Sequence, residues 1–143
     1  MTTHAKLSAS GSAKWMACPG SIAAEEGLPD GSSEHSREGS AAHHVAEDVL
    51  VNGGYASDWI GKTVEDYGVE VTHAMAEYVQ QYVDYVKSLG GTQLYEQRVD
   101  FSNVVPDGFG TSDAIVMEGR TLHIVDLKYG KGVKVYAQDN SQA

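Results

Sequence analysis

Cysteine is almost missing from this chain: Cys18 stands alone in 143 residues. A lone thiol makes no internal disulfide and by itself holds neither a zinc ion nor an iron–sulfur cluster, so nothing implies an oxidising compartment. Long apolar runs are missing too, and none approaches the roughly twenty residues that cross a bilayer. The stretch after Met1 lacks the basic start and apolar core of a secretory signal. A cytoplasmic location without membrane contact is therefore expected. Basic residues are scarce, ten Lys and Arg against twenty Asp and Glu, for a formal net charge of −10. Lys and Arg supply most non-specific affinity for phosphate backbones, so this excess of acid works against tight binding to a polyanion. Internal repeats and low-complexity segments are absent as well.

What is present reads as one globular domain over residues 1–143, since a chain of this size can bury roughly two-thirds of its unfolded surface around one core. Residues 1–92 read as mainly helical and 93–143 as a β-meander, an α+β chain with N-terminal helices packed on a mixed, mostly antiparallel sheet. Ser8 to Cys18 opens with serines suited to an N-cap and sets Leu7, Trp15 and Cys18 near one side of a short helix that Pro19-Gly20 ends. Gly27 to Ser36 has the composition of a surface loop. From about Arg37 to Val51, Ala42, Val45, Ala46, Val49 and Leu50 recur at helical spacing, and Asn52-Gly53-Gly54 is a stop. The pattern between Tyr55 and Gly68 is irregular. Val71 to Leu89 is helical again, closed by Gly90-Gly91.

Beyond Gly91 the apolar period falls to about two. Leu94, Glu96, Arg98 and Asp100 alternate with Tyr95, Gln97, Val99 and Phe101, which predicts a strand. Two more, Gly110–Met117 and Thr121–Leu127, meet at a tight Glu118-Gly119-Arg120 turn. Gly132 to Tyr136 reads as a further extended piece, and Ala137 to Ala143 as the start of a helix.

The chemistry-bearing residues lie on the second hairpin. Alternation puts Asp126 and Lys128 on one face of their strand and Val125 and Leu127 on the other. A turn centred on Gly119 sets Asp113 opposite Asp126. Two carboxylates that close repel unless a cation lies between them, which favours a hard ion, Mg²⁺ or Mn²⁺, with oxygen ligands. Lys128 can then orient or deprotonate an attacking water and offset charge developing on a phosphorane-like transition state, the chemistry of phosphodiester hydrolysis. Taken singly, the same residues also fit an exposed Asp–Lys strand pair and a solvated acid near a turn. On the second helix His43 and Glu47 are neighbours about 6 Å apart along the axis. An ordinary exposed His–Glu pair accounts for them equally well. Gly39, Ser40, Ala41 and Ala42 would let that helix's first turn approach another backbone closely. His35 is assigned to the surface and His44 to the helix flank.

With these residues assembled, the chain resembles the RecB-like branch of the PD-(D/E)xK nucleases, a phage and prophage family of exonucleases. The matching pieces are Leu7-Ser8-Ala9-Ser10 with Trp15 and Cys18-Pro19-Gly20-Ser21, Glu38 to His43 through Glu47, Pro106 to Asp113, and Ile124 to Gly132. Each is loose alone, but their order and spacing match across nearly the whole chain. The resemblance implies a restriction-endonuclease-like core, His43, Asp113 and Asp126 as metal ligands with the backbone carbonyl of Leu127, and Lys128 as the catalytic lysine. It makes Glu47 a supporting acid, Gln142 the first residue of an element that contacts DNA, and linear DNA ends the substrate. From Arg120 onward, Arg120, Lys128, Lys131 and Lys134 outnumber the two acids Asp126 and Asp139, so the metal-proximal end is locally basic and Lys131 and Lys134 are candidate DNA contacts.

The resemblance also has gaps. The family's Gln is followed by a Tyr, which this chain does not reach, so the final core helix is expected to be truncated and an apolar strip of the sheet exposed, favouring homo-oligomers. Relatives that bind an iron–sulfur cluster use one N-terminal and three C-terminal cysteines; Cys18 matches the first, and it is read as a small packing residue. The alternative to a nuclease is a short derivative without activity that binds a host or phage protein, or nucleic acid, its acidity suiting a basic partner.

Overall fold

The computed structural model describes residues 5–28, 34–130, 136 and 138–141. Lys131, Lys134, Gln142 and most of the expected extended piece after Gly130 lie outside them. The chain divides into two compact units, Met1–Gly31 with Arg98–Thr111 and Val133–Ala143, and Ser32–Gln97 with Ser112–Gly132.

In the first unit two short helices, α1 (Ser12–Ala17) and α2 (Ser21–Glu25), flank Pro19-Gly20. The Trp15 indole donates to the Ser8 carbonyl at 2.9 Å, which anchors the preceding turn. Cys18 is exposed rather than packed: α1 ends at Ala17, and the extended backbone of Cys18 (φ −141°) carries its side chain off the helix face. Gln138 to Ser141 were expected to lie in an opening helix but form turns. Polar side chains there are used locally instead, Asn140 donating to the Tyr136 carbonyl and the Ser141 hydroxyl bonding that of Ser12 at 2.7 Å.

The second unit contains α3 (Glu34–Asn52), a 3₁₀ turn at Ala56–Trp59, β1 (Thr63–Val64), β2 (Val69–Glu70) and α4 (His73–Ser88). It also holds the greater part of β3 (Thr92–Asp100) and β4 (Phe109–Glu118), and all of β5 (Thr121–Val125). α4 starts later than its apolar pattern suggested because the Thr72 hydroxyl accepts from the Met75 amide and caps the helix there. The α3 stripe of Ala42, Val45, Ala46 and Val49 packs in one core with Met75, Val79, Val83 and Val86 of α4, and with Ala114 and Val116 of β4. The region read as irregular holds the antiparallel β1–β2 hairpin, with Val64 opposite Val69.

The larger sheet has the order β3-β4-β5. β4 and β5 are antiparallel, pairing Ala114 with Val125, Val116 with His123 and Glu118 with Thr121 around the Gly119-Arg120 turn. One step further, this register sets Asp113 opposite Asp126. Ala114 and Val116 face the helices and are fully buried, whereas Leu122 and Ile124 of β5 are 60% and 61% exposed, and Met117 of β4 is 43% exposed. Met117, Leu122 and Ile124 form an apolar strip on the outer face of the hairpin. The architecture is α+β with antiparallel strand pairs, and no helix among the described residues is long and apolar enough to cross a membrane.

Candidate metal centre

β5 ends at Val125 because the next amide that could extend it bonds a side chain. The Leu127 amide donates to Asp113 Oδ2 at 2.7 Å. The other oxygen, Oδ1, lies 3.3 Å from His43 Nδ1, and the Asp113 side chain is only 11% exposed. His43 reaches it because α3 runs close to the chain beyond Leu127: a Cβ on Gly39 would stand 3.3 Å from the Tyr129 carbonyl, and Ala41 and Ala42 are fully buried. The small-residue turn before His43 does what its composition suggested.

A third group joins them that sequence reasoning passed over. Glu96 of β3 has φ +47°, a left-handed backbone inside a strand, and Tyr95, Glu96 and Gln97 are all half-buried. Simple alternation, which grouped Glu96 with Leu94, fails at this kink. One ligand atom from each of His43, Glu96 and Asp113 lies within 4.8 Å of the others. These three line a small cleft with Ala46, Glu47 and Tyr82. The Tyr82 hydroxyl oxygen is buried with no hydrogen-bond partner among the described residues.

Asp126 and Lys128 were expected on one face of a strand, but β5 ends before them; their side chains meet at 2.7 Å in the segment that follows, the pair is 43% and 55% exposed, and neither belongs to the three-residue cluster. Such an exposed pair stabilises by about 0–1 kcal/mol, so Lys128 is easily released from it. Leu127 contributes its buried side chain to the cleft wall and its amide to Asp113. Glu47 is exposed and lines the same cleft. His35 sits at the surface 3.8 Å from Glu38, and His44 stacks edge-on against Trp59 with ring centroids 5.5 Å apart.

Electrostatics reflect the crowding of acids. Burial, then the charges of Asp113 and Glu47, push the Glu96 carboxyl from 4.5 up to about 7, against the opposing pull of His43. Burial alone would lower His43, but its hydrogen bond to Asp113 and the charges of Asp113, Glu96 and Asp126 outweigh that and raise it. Burial and the same three acids raise Tyr82, so its hydroxyl remains a donor at neutral pH.

Glu96 and His43 both bind protons more tightly in the folded protein, so the folded state holds more protons between 4.5 and about 7. The Glu96 contribution to stability is complete at low pH and is lost as pH rises through about 7, and His43 acts in the same direction. With metal chelated, urea denaturation should show this loss, on the order of 1–2 kcal/mol from Glu96 once solvent screening of a part-exposed group is allowed for. Glu96→Gln should flatten the profile over that range; an unchanged slope in the variant would place the effect elsewhere.

A larger open groove, lined by Tyr55, His73, Glu77, Gln80 and Asp84 between the 3₁₀ turn and α4, brings together no comparable ligand set among the described residues. Residues 4–143 match DUF2800, a family described as proteins of unknown function. No solved structure matches the chain.

Proposed function

The chain belongs to the DUF2800 family, and we propose that it is a divalent-metal-dependent deoxyribonuclease, an exonuclease of the RecB-like PD-(D/E)xK kind acting in phage recombination or DNA processing. On this reading α3 and β3 to β5 belong to a restriction-endonuclease-like core. The observation that carries it is the meeting of His43 from a helix and Asp113 from a strand at 3.3 Å, with Asp126 and Lys128 in the segment that follows β5.

The donor set fits a hard ion. Around Mg²⁺ or Mn²⁺ with bonds of about 2.1 Å, neighbouring ligand atoms lie roughly 3.0 Å apart and opposite ones roughly 4.2 Å. The atoms offered by His43, Glu96 and Asp113 fall within 4.8 Å of one another, an envelope a little wider than that shell, so the side chains would draw in around the ion. His43 and Asp113, with Asp126 and the Leu127 carbonyl as the motif resemblance implies, would hold the ion. A bound divalent ion would supply Lewis-acid polarisation of the scissile phosphate.

The remaining work falls to the chain's own groups. The Leu127 amide fixes the Asp113 carboxylate, so that its other oxygen stays turned to His43. Lys128, released from Asp126, places an ammonium where it orients the attacking water and offsets phosphate charge. Lys131 and Lys134, which lie outside the described residues, are the candidate DNA contacts on the local excess of basic residues in the sequence.

Purified protein with Mg²⁺ or Mn²⁺ is expected to degrade linear duplex DNA, with EDTA abolishing the activity. Lys128→Ala should lower the rate by about 10²-fold or more while leaving Mn²⁺ affinity within a few-fold of wild type. An unaffected rate in that variant, or no cleavage by the wild type with bound Mn²⁺, sinks the assignment. The net charge of −10 and the exposed Leu122 and Ile124 favour a second reading, an inactive nuclease-like protein that binds a basic partner. A stable fold with no Mn²⁺ affinity is its signature.

A further inference from the structure

We propose that Glu96 is itself a ligand of the cation held by His43 and Asp113, a role that the motif resemblance assigns to no residue of β3. The inference rests on the metal-dependent reading above and names a residue it lacks. Glu96, His43 and Asp113 present ligand atoms inside one 4.8 Å envelope. The kink at Glu96, φ +47°, breaks the alternation of β3 at the residue that joins this cluster. Charge points the same way. The cleft gathers three carboxylates, from Glu47, Glu96 and Asp113, and the described residues of its walls include no lysine or arginine. His43 is the one group among them able to carry positive charge, so the walls offer these acids no other counter-charge.

Asp126 contrasts with this, because Lys128 already sits 2.7 Å from its carboxylate. A cation entering the cleft finds in Glu96 an acid that no lysine or arginine of the cleft neutralises. The Tyr82 hydroxyl adds an independent sign, buried on the same wall without a partner among the described residues. A donor in that state calls for an oxygen beside it, such as a water coordinated in the cleft.

The test is Mn²⁺ titration by calorimetry on the full chain and on Glu96→Gln, a change that keeps shape and removes charge. Affinity should fall at least tenfold in the variant, while its metal-free melting temperature is unchanged or higher because a repelling carboxylate is gone. A wild-type protein that binds Mn²⁺ and a folded variant that binds it equally well would overturn the role of Glu96 and leave the nuclease reading standing. No Mn²⁺ binding by wild type would overturn both. Should the variant not fold, the side-chain carboxyl ¹³C resonance of Glu96 in the wild type decides: it should broaden away at substoichiometric Mn²⁺, and a sharp resonance at saturation refutes the coordination.

Discussion

Asp113→Asn is expected to abolish measurable Mn²⁺ binding and to reduce metal-dependent cleavage of linear DNA by on the order of 10³-fold, the equivalent of several kcal/mol. Asp113 is tied in from two sides: one oxygen takes the Leu127 amide at 2.7 Å and the other faces His43 at 3.3 Å. Asparagine retains an oxygen for the amide, so the loop after β5 keeps its course. What changes is the charge and the atom turned to His43, where an amide group can replace a carboxylate oxygen. The fold should therefore survive with about 1 kcal/mol lost, the net worth of a hydrogen bond to a charged group weakened to a neutral one. Calorimetry, a cleavage assay and urea denaturation on the same preparation separate the outcomes. Retained Mn²⁺ affinity would remove Asp113 from the centre, whereas unfolding would make its role structural.

Gly91→Ala should cost about 3 kcal/mol of stability. Two causes act together. Gly91 has φ +70°, a region where an alanine is strained, and a Cβ built on it would collide with the Met117 carbonyl of β4. Backbone, unlike a side chain, has no rotamer by which to yield. Gly61 provides the control: its φ is +77° but a Cβ there meets nothing within 4 Å. Gly61→Ala should thus show the conformational cost alone, about 1 kcal/mol. Equal losses in urea denaturation would mean that the contact between the end of α4 and β4 relaxes freely.

How far the sequence could be read depended on how local each cause was. The β4–β5 hairpin is set by neighbours in sequence, the Gly119-Arg120 turn and the alternation on either side of it, and the register expected from that turn is the one observed from Glu118–Thr121 to Ala114–Val125. The apolar stripe from Ala42 to Leu50 likewise determines which face of α3 is buried. Glu96 was illegible because a left-handed glutamate in mid-strand leaves no compositional mark; glycine or asparagine at that position would have signalled the kink. The bond from the Leu127 amide to Asp113 was equally hidden, since backbone donors are the same at every residue. His43 could be paired by helical spacing with Glu47, but only the motif resemblance pointed from it to the strand acids. Cys18 was expected inside α1 and packed, but the helix stops one residue short of it and the thiol is exposed.

The outer face of the β4–β5 hairpin bears on how the protein behaves in concentrated solution. Leu122, Ile124 and Met117 make a greasy plate on the outer face of the sheet, the kind of surface through which copies adhere. A net charge of −10 opposes this by mutual repulsion. That repulsion reaches only about 8 Å at physiological ionic strength and shortens as salt is added. The acidity that hinders contact with DNA is, for this face, a colloidal stabiliser, and salt weakens the two effects together.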